Sequence, residues 1–255
     1  MRVLVTNDDG VHAPGILALA QALVKDGHDV VVAGPLVDMS GSGAALGPGH
    51  AGTVAVERLR WPDLDEIDVI GVDGPPAMAV LAGYLGAFGE PLELVASGIN
   101  FGGNTGRSVL FSGTVGAALA AANFGLKGVA VSQPPGEPWH LETSAAFAAA
   151  AVGWAAGAPP LTVLNVNVPN LPLNEIRGVR SGDLAPFGVV QTVYEGEAEG
   201  RLQLVLRETA QELDPDTDTM LVQRGFVSVN GLVGPHAVDH PGALESLAQR
   251  VLGER

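Results

Sequence analysis

A chain of 255 residues with 47% hydrophobic residues, 35 glycines and 18 prolines suits one large α/β domain with an appendage, or at most two small domains. Its formal charge of −15, from 13 Lys and Arg against 28 Asp and Glu, argues against long nucleic acids, whose binding needs basic surface to displace counterions from phosphates. The absence of cysteine excludes disulfides, thiolate metal sites and a cysteine nucleophile, and fits a reducing compartment.

Arg2-Val3-Leu4-Val5 opens the chain as a buried strand that stops on Thr6-Asn7-Asp8-Asp9-Gly10. Two adjacent carboxylates at a strand's C-terminal end are costly unless a cation or a proton neutralises them. In open α/β sheets that end is also where ligands bind. Asp8 and Asp9 are therefore read as ligands of a hard metal, against the plainer reading of a solvated Asp-Asp-Gly turn. No basic segment and apolar core precede this strand, so we expect no secretory leader and a cytoplasmic chain. Pro14-Gly15 then starts a helix whose apolar positions Ile16, Leu17, Leu19, Ala20 and Leu23 run to Lys25.

Further strands are expected at Val30–Ala33, Val54–Glu57, Asp68–Val72, Leu92–Ala96, Gly128–Ser132 and Leu161–Val168, with helices at Pro76–Leu85, Thr114–Phe124 and Leu141–Trp154. Such alternation predicts a Rossmann-like, mostly parallel sheet with helices on both faces. The most apolar stretch, Ala145–Ala156, is too short and Ala-rich to span a bilayer, and no membrane association is expected. Residues 1–180 are read as the core. Over 181–255 we expect an extension of the same domain. It comprises a hairpin from Val189–Val193 and Leu202–Leu206 about a turn at Glu195–Gly200, a last strand Val222–Val229 and an amphipathic helix Pro241–Leu252.

Three clusters follow strands. Ser40-Gly41-Ser42-Gly43 offers hydroxyls on a glycine-rich loop that can reach a metal or a phosphate, though taken alone the cluster reads first as a flexible surface loop. Ser97-Gly98-Ile99-Asn100, with Gly102, Gly103 and Asn104, offers amide donors and neutral oxygen ligands on a backbone free to approach a ligand. In Phe111-Ser112-Gly113-Thr114-Val115, Ser112 or Thr114 is a natural helix cap, and the free N–H groups there also suit a phosphate. No lysine follows, so this is not a nucleoside-triphosphate P-loop.

Taken together, Thr6–Gly10 with Ala13-Pro14-Gly15, Ser97–Asn100 with Gly102 and Asn104, and Ser112–Val115 resemble the SurE family of survival-protein E nucleotidases. Weaker echoes are Asn165-Val166-Asn167-Val168-Pro169, Asp216-Thr217-Asp218 and Gly225-Phe226-Val227-Ser228. The resemblance implies a metal-dependent phosphatase of nucleoside 5′- and 3′-monophosphates, with short polyphosphate as a further candidate substrate. It implies one Mg²⁺ or Mn²⁺ per subunit, held by Asp8, Asp9, Ser40 and Asn100, with Ser42 an alternative to Ser40. It further implies phosphate contacts from Asn100, Asn104, Ser112, Gly113 and Thr114, and a homodimer or homotetramer built through the C-terminal arm. Asp8 or Asp9 is the expected acceptor of a water's proton, and His12 is expected to be a surface residue. The chain departs from the family where Ala120 replaces a glutamate, where Met78 replaces an aspartate, and at Leu36-Val37-Asp38-Met39. A non-catalytic nucleotide or metal sensor is an alternative reading. A glycosyltransferase of two Rossmann halves is another, but it needs a longer chain and leaves the Asp8-Asp9 pair unexplained.

Overall fold

The computed structural model describes residues 1–47, 52–62, 64–187, 190–198, 200–208, 212–235, 242 and 249. Its centre is β1 (Arg2–Thr6), all of whose residues after Arg2 are buried. β2 (Asp29–Pro35) and β5 (Leu94–Phe101) pair with β1 on either side, both parallel. Strands covered on both faces need continuous apolar runs, and Val3-Leu4-Val5 and Val30-Val31-Val32-Ala33 supply them. Beyond β2 lie β4 (Val69–Val72, parallel) and an antiparallel edge, β3 (Val56–Leu59). Beyond β5 lie β6 (Lys127–Gln133) and β7 (Val163–Asn167), both parallel. With β8 (Val179–Arg180) and β11 (Val227–Leu232) beyond β7, the sheet order is β3-β4-β2-β1-β5-β6-β7-β11-β8.

The chain leaves β1 for β2 and β4 in one direction and returns to β5 and β6 in the other. This reversal makes the C-terminal ends of β1 and β5 the topological switch point, and opens a crevice where they diverge. The Asn7–Gly10 turn ends β1 there, and Asn100-Phe101 end β5 after a register shift between Ser97 and Asn100.

Helices cover both faces. α1 (Pro14–Lys25) buries Ile16, Leu19, Ala20 and Leu23 on a core shared with α4 (Leu141–Ala156), which runs two residues past its expected end. α2 (Pro76–Tyr84) and α3 (Gly113–Asn123) cover the opposite face with Val80, Ala117 and Ala121. Met78 and Ala120, two of the departures from the family pattern, pack into this second core. The small residues of α3 let backbone meet backbone: a Cβ on Gly128 of β6 would lie 2.3 Å from the Ala118 carbonyl oxygen.

After β7 come β8 (Val179–Arg180), a hairpin of β9 (Val190–Ala198) and β10 (Arg201–Glu208), α5 (Asp218–Gln223) and β11 (Val227–Leu232). The hairpin strands pair only with each other, as an antiparallel sheet of their own. β9 continues through Glu195 and Glu197, which the sequence reading assigned to the turn. Glu197 pairs with Leu202, and Glu195, which falls at a register shift, accepts from Arg207. The expected strand Val222–Val229 divides, because α5 claims Val222 and Gly225, at φ +83°, turns the chain into β11. β11 then pairs antiparallel with β7 and so joins the main sheet. Val189 and the helix expected over Pro241–Leu252, save Gly242 and Gln249, lie outside the described residues. No helix among the described residues is long and apolar enough to cross a membrane.

Candidate metal and phosphate site

Asp8 leaves β1 beneath the N-terminus of α3. Its carboxylate is 3% exposed and accepts a hydrogen bond from the Thr114 hydroxyl at Oδ1. Burial raises its pKa, against the Thr114 hydroxyl and the backbone N–H groups of Thr114 and Gly113, which lower it. The free N–H groups of α3 thus meet an anion belonging to the protein itself. Ser112 is the N-cap proper, accepting from Val115 N–H at 3.1 Å.

Asp9 is half-buried, and Phe101 N–H donates to its Oδ2 at 3.2 Å. Its pKa is pushed up to about 6, chiefly by burial, with the charges of Asp8 and Asp38 adding to the shift and the Phe101 hydrogen bond opposing it. Among the described residues no basic side chain pairs with Asp8 or Asp9. The expense of burying two neighbouring carboxylates is left without a cationic side chain to offset it.

The loop after β2 completes the wall. Met39 N–H bonds to the Asp8 carbonyl at 2.8 Å, and Gly43 N–H to the Phe111 carbonyl at 3.0 Å. These bonds set the loop against α3, where Ser42 Oγ and Asp8 Oδ2 both border Gly113. Ser40 is exposed, and its hydroxyl and N–H hold the Asp38 carboxyl below the usual range. Ser42 Oγ is buried with no hydrogen-bond partner among the described residues. A Cβ on Gly113 would lie 2.7 Å from Ser42 Oγ and 2.8 Å from Asp8 Oδ2. Only glycine leaves that space open, and both oxygens border it.

Asn100, half-buried at the end of β5, donates through Nδ2 to the Gly102 carbonyl at 2.6 Å. A carbonyl only accepts, so the amide group turns its NH₂ there and leaves Oδ1 available as a ligand. Asn104 sits further back. Its N–H bonds to Asn167 Oδ1 at 2.8 Å, its Nδ2 to Ser132 Oγ at 2.8 Å, and its carbonyl accepts from both Asn165 and Asn167. One amide hydrogen of Asn104 remains for a ligand. His12 is exposed.

The donors gathered here are two carboxylates, a buried unpartnered hydroxyl and an amide oxygen. Such an all-oxygen set fits a hard divalent cation such as Mg²⁺ or Mn²⁺, which keeps water or a phosphate oxygen in its remaining positions. Among the described residues no three His, Asp, Glu or Cys side chains converge, so neutral oxygens have to complete the shell. The Asp8–Thr114 bond and the backbone roles of Met39 and Phe101 were not legible in the sequence. The weaker echo Asn165–Pro169, by contrast, marked the residues that hold Asn104.

A model of the family "Survival protein SurE" matches residues 3–188. The 5′-nucleotidase SurE of Pseudomonas putida (strain W619) is 38% identical over 238 residues, 91% of this chain and 92% of that protein. The 5′-nucleotidase SurE of Ectopseudomonas mendocina (strain ymp) is 38% identical over 237 residues with the same coverage. Among solved structures, the SurE protein from Aquifex aeolicus superimposes with a TM-score of 0.77 at 30% identity, covering 98% of this chain and 99% of the other.

Two outcomes follow from the geometry. Asp8 and Asp9 titrate above the unfolded range, so between about pH 4 and about pH 6 the folded chain holds more protons than the unfolded one. Stability of the metal-free protein therefore falls as pH rises through that window and is lowest above it. In chelator, thermal melting is expected higher near pH 5 than near pH 7.5, and Asp9→Asn should shrink that difference. An undiminished difference in the variant would assign it to other groups. Separately, Ser42→Ala is expected to weaken Mn²⁺ binding by about tenfold in calorimetry, while Ser40→Ala leaves it near wild type. The reverse order would return the ligand role to Ser40.

Proposed function

We propose that this chain, which belongs to the SurE family, is a divalent-metal-dependent nucleotidase that hydrolyses nucleoside 5′- and 3′-monophosphates. The observation that carries the reading is the pair of carboxylates, Asp8 buried and Asp9 half-buried, that has no cationic partner among the described residues, at the switch point of the sheet beside the cradle above Gly113. The 5′-nucleotidase relatives support the substrate class. The cysteine-free composition supports a cytoplasmic setting.

Asp8, Asp9, Ser42 and Asn100 are the residues we assign to the cation. A bound divalent ion supplies a Lewis acid for a phosphoryl oxygen and a lowered pKa for a coordinated water. The protein's own part is to hold groups still. Thr114 locks the Asp8 carboxylate at Oδ1, so that Oδ2 faces the cradle with Ser42. Asp9, held by a single N–H, is the group best placed to take the proton of an attacking water. Asn104, with an amide hydrogen left over, would then stabilise charge on an equatorial phosphate oxygen, while the N–H groups at the start of α3 serve Asp8.

A phosphate-release assay over a panel of nucleoside monophosphates tests the reading. Activity is expected with Mg²⁺ or Mn²⁺ and is lost with excess chelator. Asp8→Asn and Asp9→Asn should each reduce it by at least a hundredfold at saturating metal, with the fold intact by circular dichroism. Near-wild-type turnover in either variant, or activity indifferent to chelator, overturns the assignment.

We further propose that the chain is a homo-oligomer built through the β9–β10 hairpin. Tyr194, Leu202 and Leu204 are 62%, 66% and 60% exposed, on an isolated two-stranded sheet of a kind that is marginal in water. A two-fold mate would bury the same arm reciprocally. Replacing Val190–Val205 by a short Gly-Ser link should lower the mass seen in light scattering. Retention of the parent mass would remove the arm from the interface.

A further inference from the structure

Beside Asp9 stands an aromatic pair that the metal and phosphate leave unused. Phe101, whose main-chain N–H binds Asp9 Oδ2, carries a ring that is 51% exposed. Trp139 meets it edge to face, with ring centroids 4.8 Å apart and planes at 79°. That contact fixes the Phe101 ring while the residue, the last of β5, stays half exposed.

The mount is rigid. Asn170 accepts from His140 N–H at 2.9 Å and from the Gln133 side chain at Oδ1, and donates through Nδ2 to the Pro138 carbonyl at 3.0 Å. Gln133 is itself fully buried, accepts from Ser144, and through its main-chain oxygen receives Gly102 N–H at 2.9 Å. The segment carrying Trp139 and the backbone just after Phe101 are therefore pinned to one polar cluster. A ring held this way loses little entropy when a planar ligand lies against it.

We propose that Phe101, braced by Trp139, is the stacking surface for the nucleobase of the substrate. This rests on the nucleotidase reading: Phe101, whose main-chain N–H holds Asp9, is also the residue whose exposed ring stands next to the centre where that reading puts the phosphate. Every base has a π-face, so a stacking surface of this kind accepts purines and pyrimidines alike but rejects phosphate esters without a base. Specificity for nucleotides over sugar phosphates thus resides in a side chain that touches neither metal nor phosphate.

The test is the ratio of kcat/KM for AMP over ribose 5-phosphate, in wild type, Phe101→Ala and Phe101→Tyr. The ratio should fall about tenfold in Phe101→Ala, through KM for AMP, and recover in Phe101→Tyr, as the loss of one base–aromatic stack requires. A ratio unchanged in Phe101→Ala overturns the proposal. So does a lowered mass of that variant in light scattering, which would make the ring a subunit contact. AMP titrated against tryptophan fluorescence, with Trp139→Phe identifying the reporter, gives a reading independent of turnover. Saturable quenching in wild type that Phe101→Ala weakens upholds the stacking surface even if no ester is hydrolysed, and absence of quenching overturns it. Failure of all phosphate release with quenching intact removes the nucleotidase reading alone.

Discussion

The fold is organised around an electrostatic expense: buried Asp8 and half-buried Asp9 stand side by side at the end of the central strand, and among the described residues no basic side chain meets them. A lone ionised carboxylate in a dry interior is so unfavourable that it protonates or is compensated. Here the two groups are compensated unequally. Asp8 meets the N-terminus of α3 and the Thr114 hydroxyl, whereas Asp9 has one N–H at 3.2 Å and feels the charges of Asp8 and Asp38. A cation bound between them relieves both groups at once, and relieves Asp9 the more. On the proposed reading the same expense would let an acidic chain take an anionic substrate, since bare carboxylates would repel a phosphate and a metal-neutralised pair would not.

Bringing the required groups together depends on glycines at which backbone meets backbone. Gly15 sets the start of α1 against Ile99, where a Cβ would fall 1.9 Å from the carbonyl oxygen. Gly116 does the same for α3 against the loop after β2, with a Cβ 2.2 Å from the Gly43 carbonyl oxygen. With Gly113 one turn earlier, α3 offers that loop a smooth face, and Ser42 Oγ and Asp8 Oδ2 border the same space above it. Any side chain at these positions would push the loop outward and take the hydroxyl with it.

How much of this was legible in the sequence varied with the range of the interaction. β1, α1 and the alternation of strands and helices followed from apolar periodicity, and α1 began and ended where Pro14 and Lys25 placed it. Local signals also marked Asp8, Asp9 and Asn100, because unusual residues stood at strand ends. The sequence leaves Ser40 and Ser42 open as the loop hydroxyl because the two are equivalent in composition; the structure differs at the two, with Ser40 exposed and engaged with Asp38 and Ser42 Oγ buried beside Gly113. Thr114 was read as a phosphate contact because helix starts attract anions. The anion at that helix start in this structure is Asp8, more than a hundred residues earlier in the chain. α5 was missed because its apolar residues run into those of β11, and only the Gly225 turn separates them.

Asp218 gives the contrast that isolates Asp9. It is fully buried, like Asp8, and no salt bridge among the described residues involves it. It accepts from Gly106 N–H at 2.8 Å, Ala185 N–H at 3.0 Å and Thr219 N–H at 2.8 Å, so its lone pairs are well supplied by the protein. Those three donors come from the loop that leads to α3, from the root of the hairpin and from α5. The loop also receives Thr219 Oγ1 on Thr105 and gives Arg107 N–H to the Ala185 carbonyl. The residues that lead into the arm are thus hydrogen-bonded to the loop between Asn104 and Ser112, and the site and the arm's base form one polar unit. A carboxylate that structure alone requires is satisfied in this manner. Asp9, half-buried and under-supplied, is left with capacity that the fold does not use, and a bound cation is what that capacity suits.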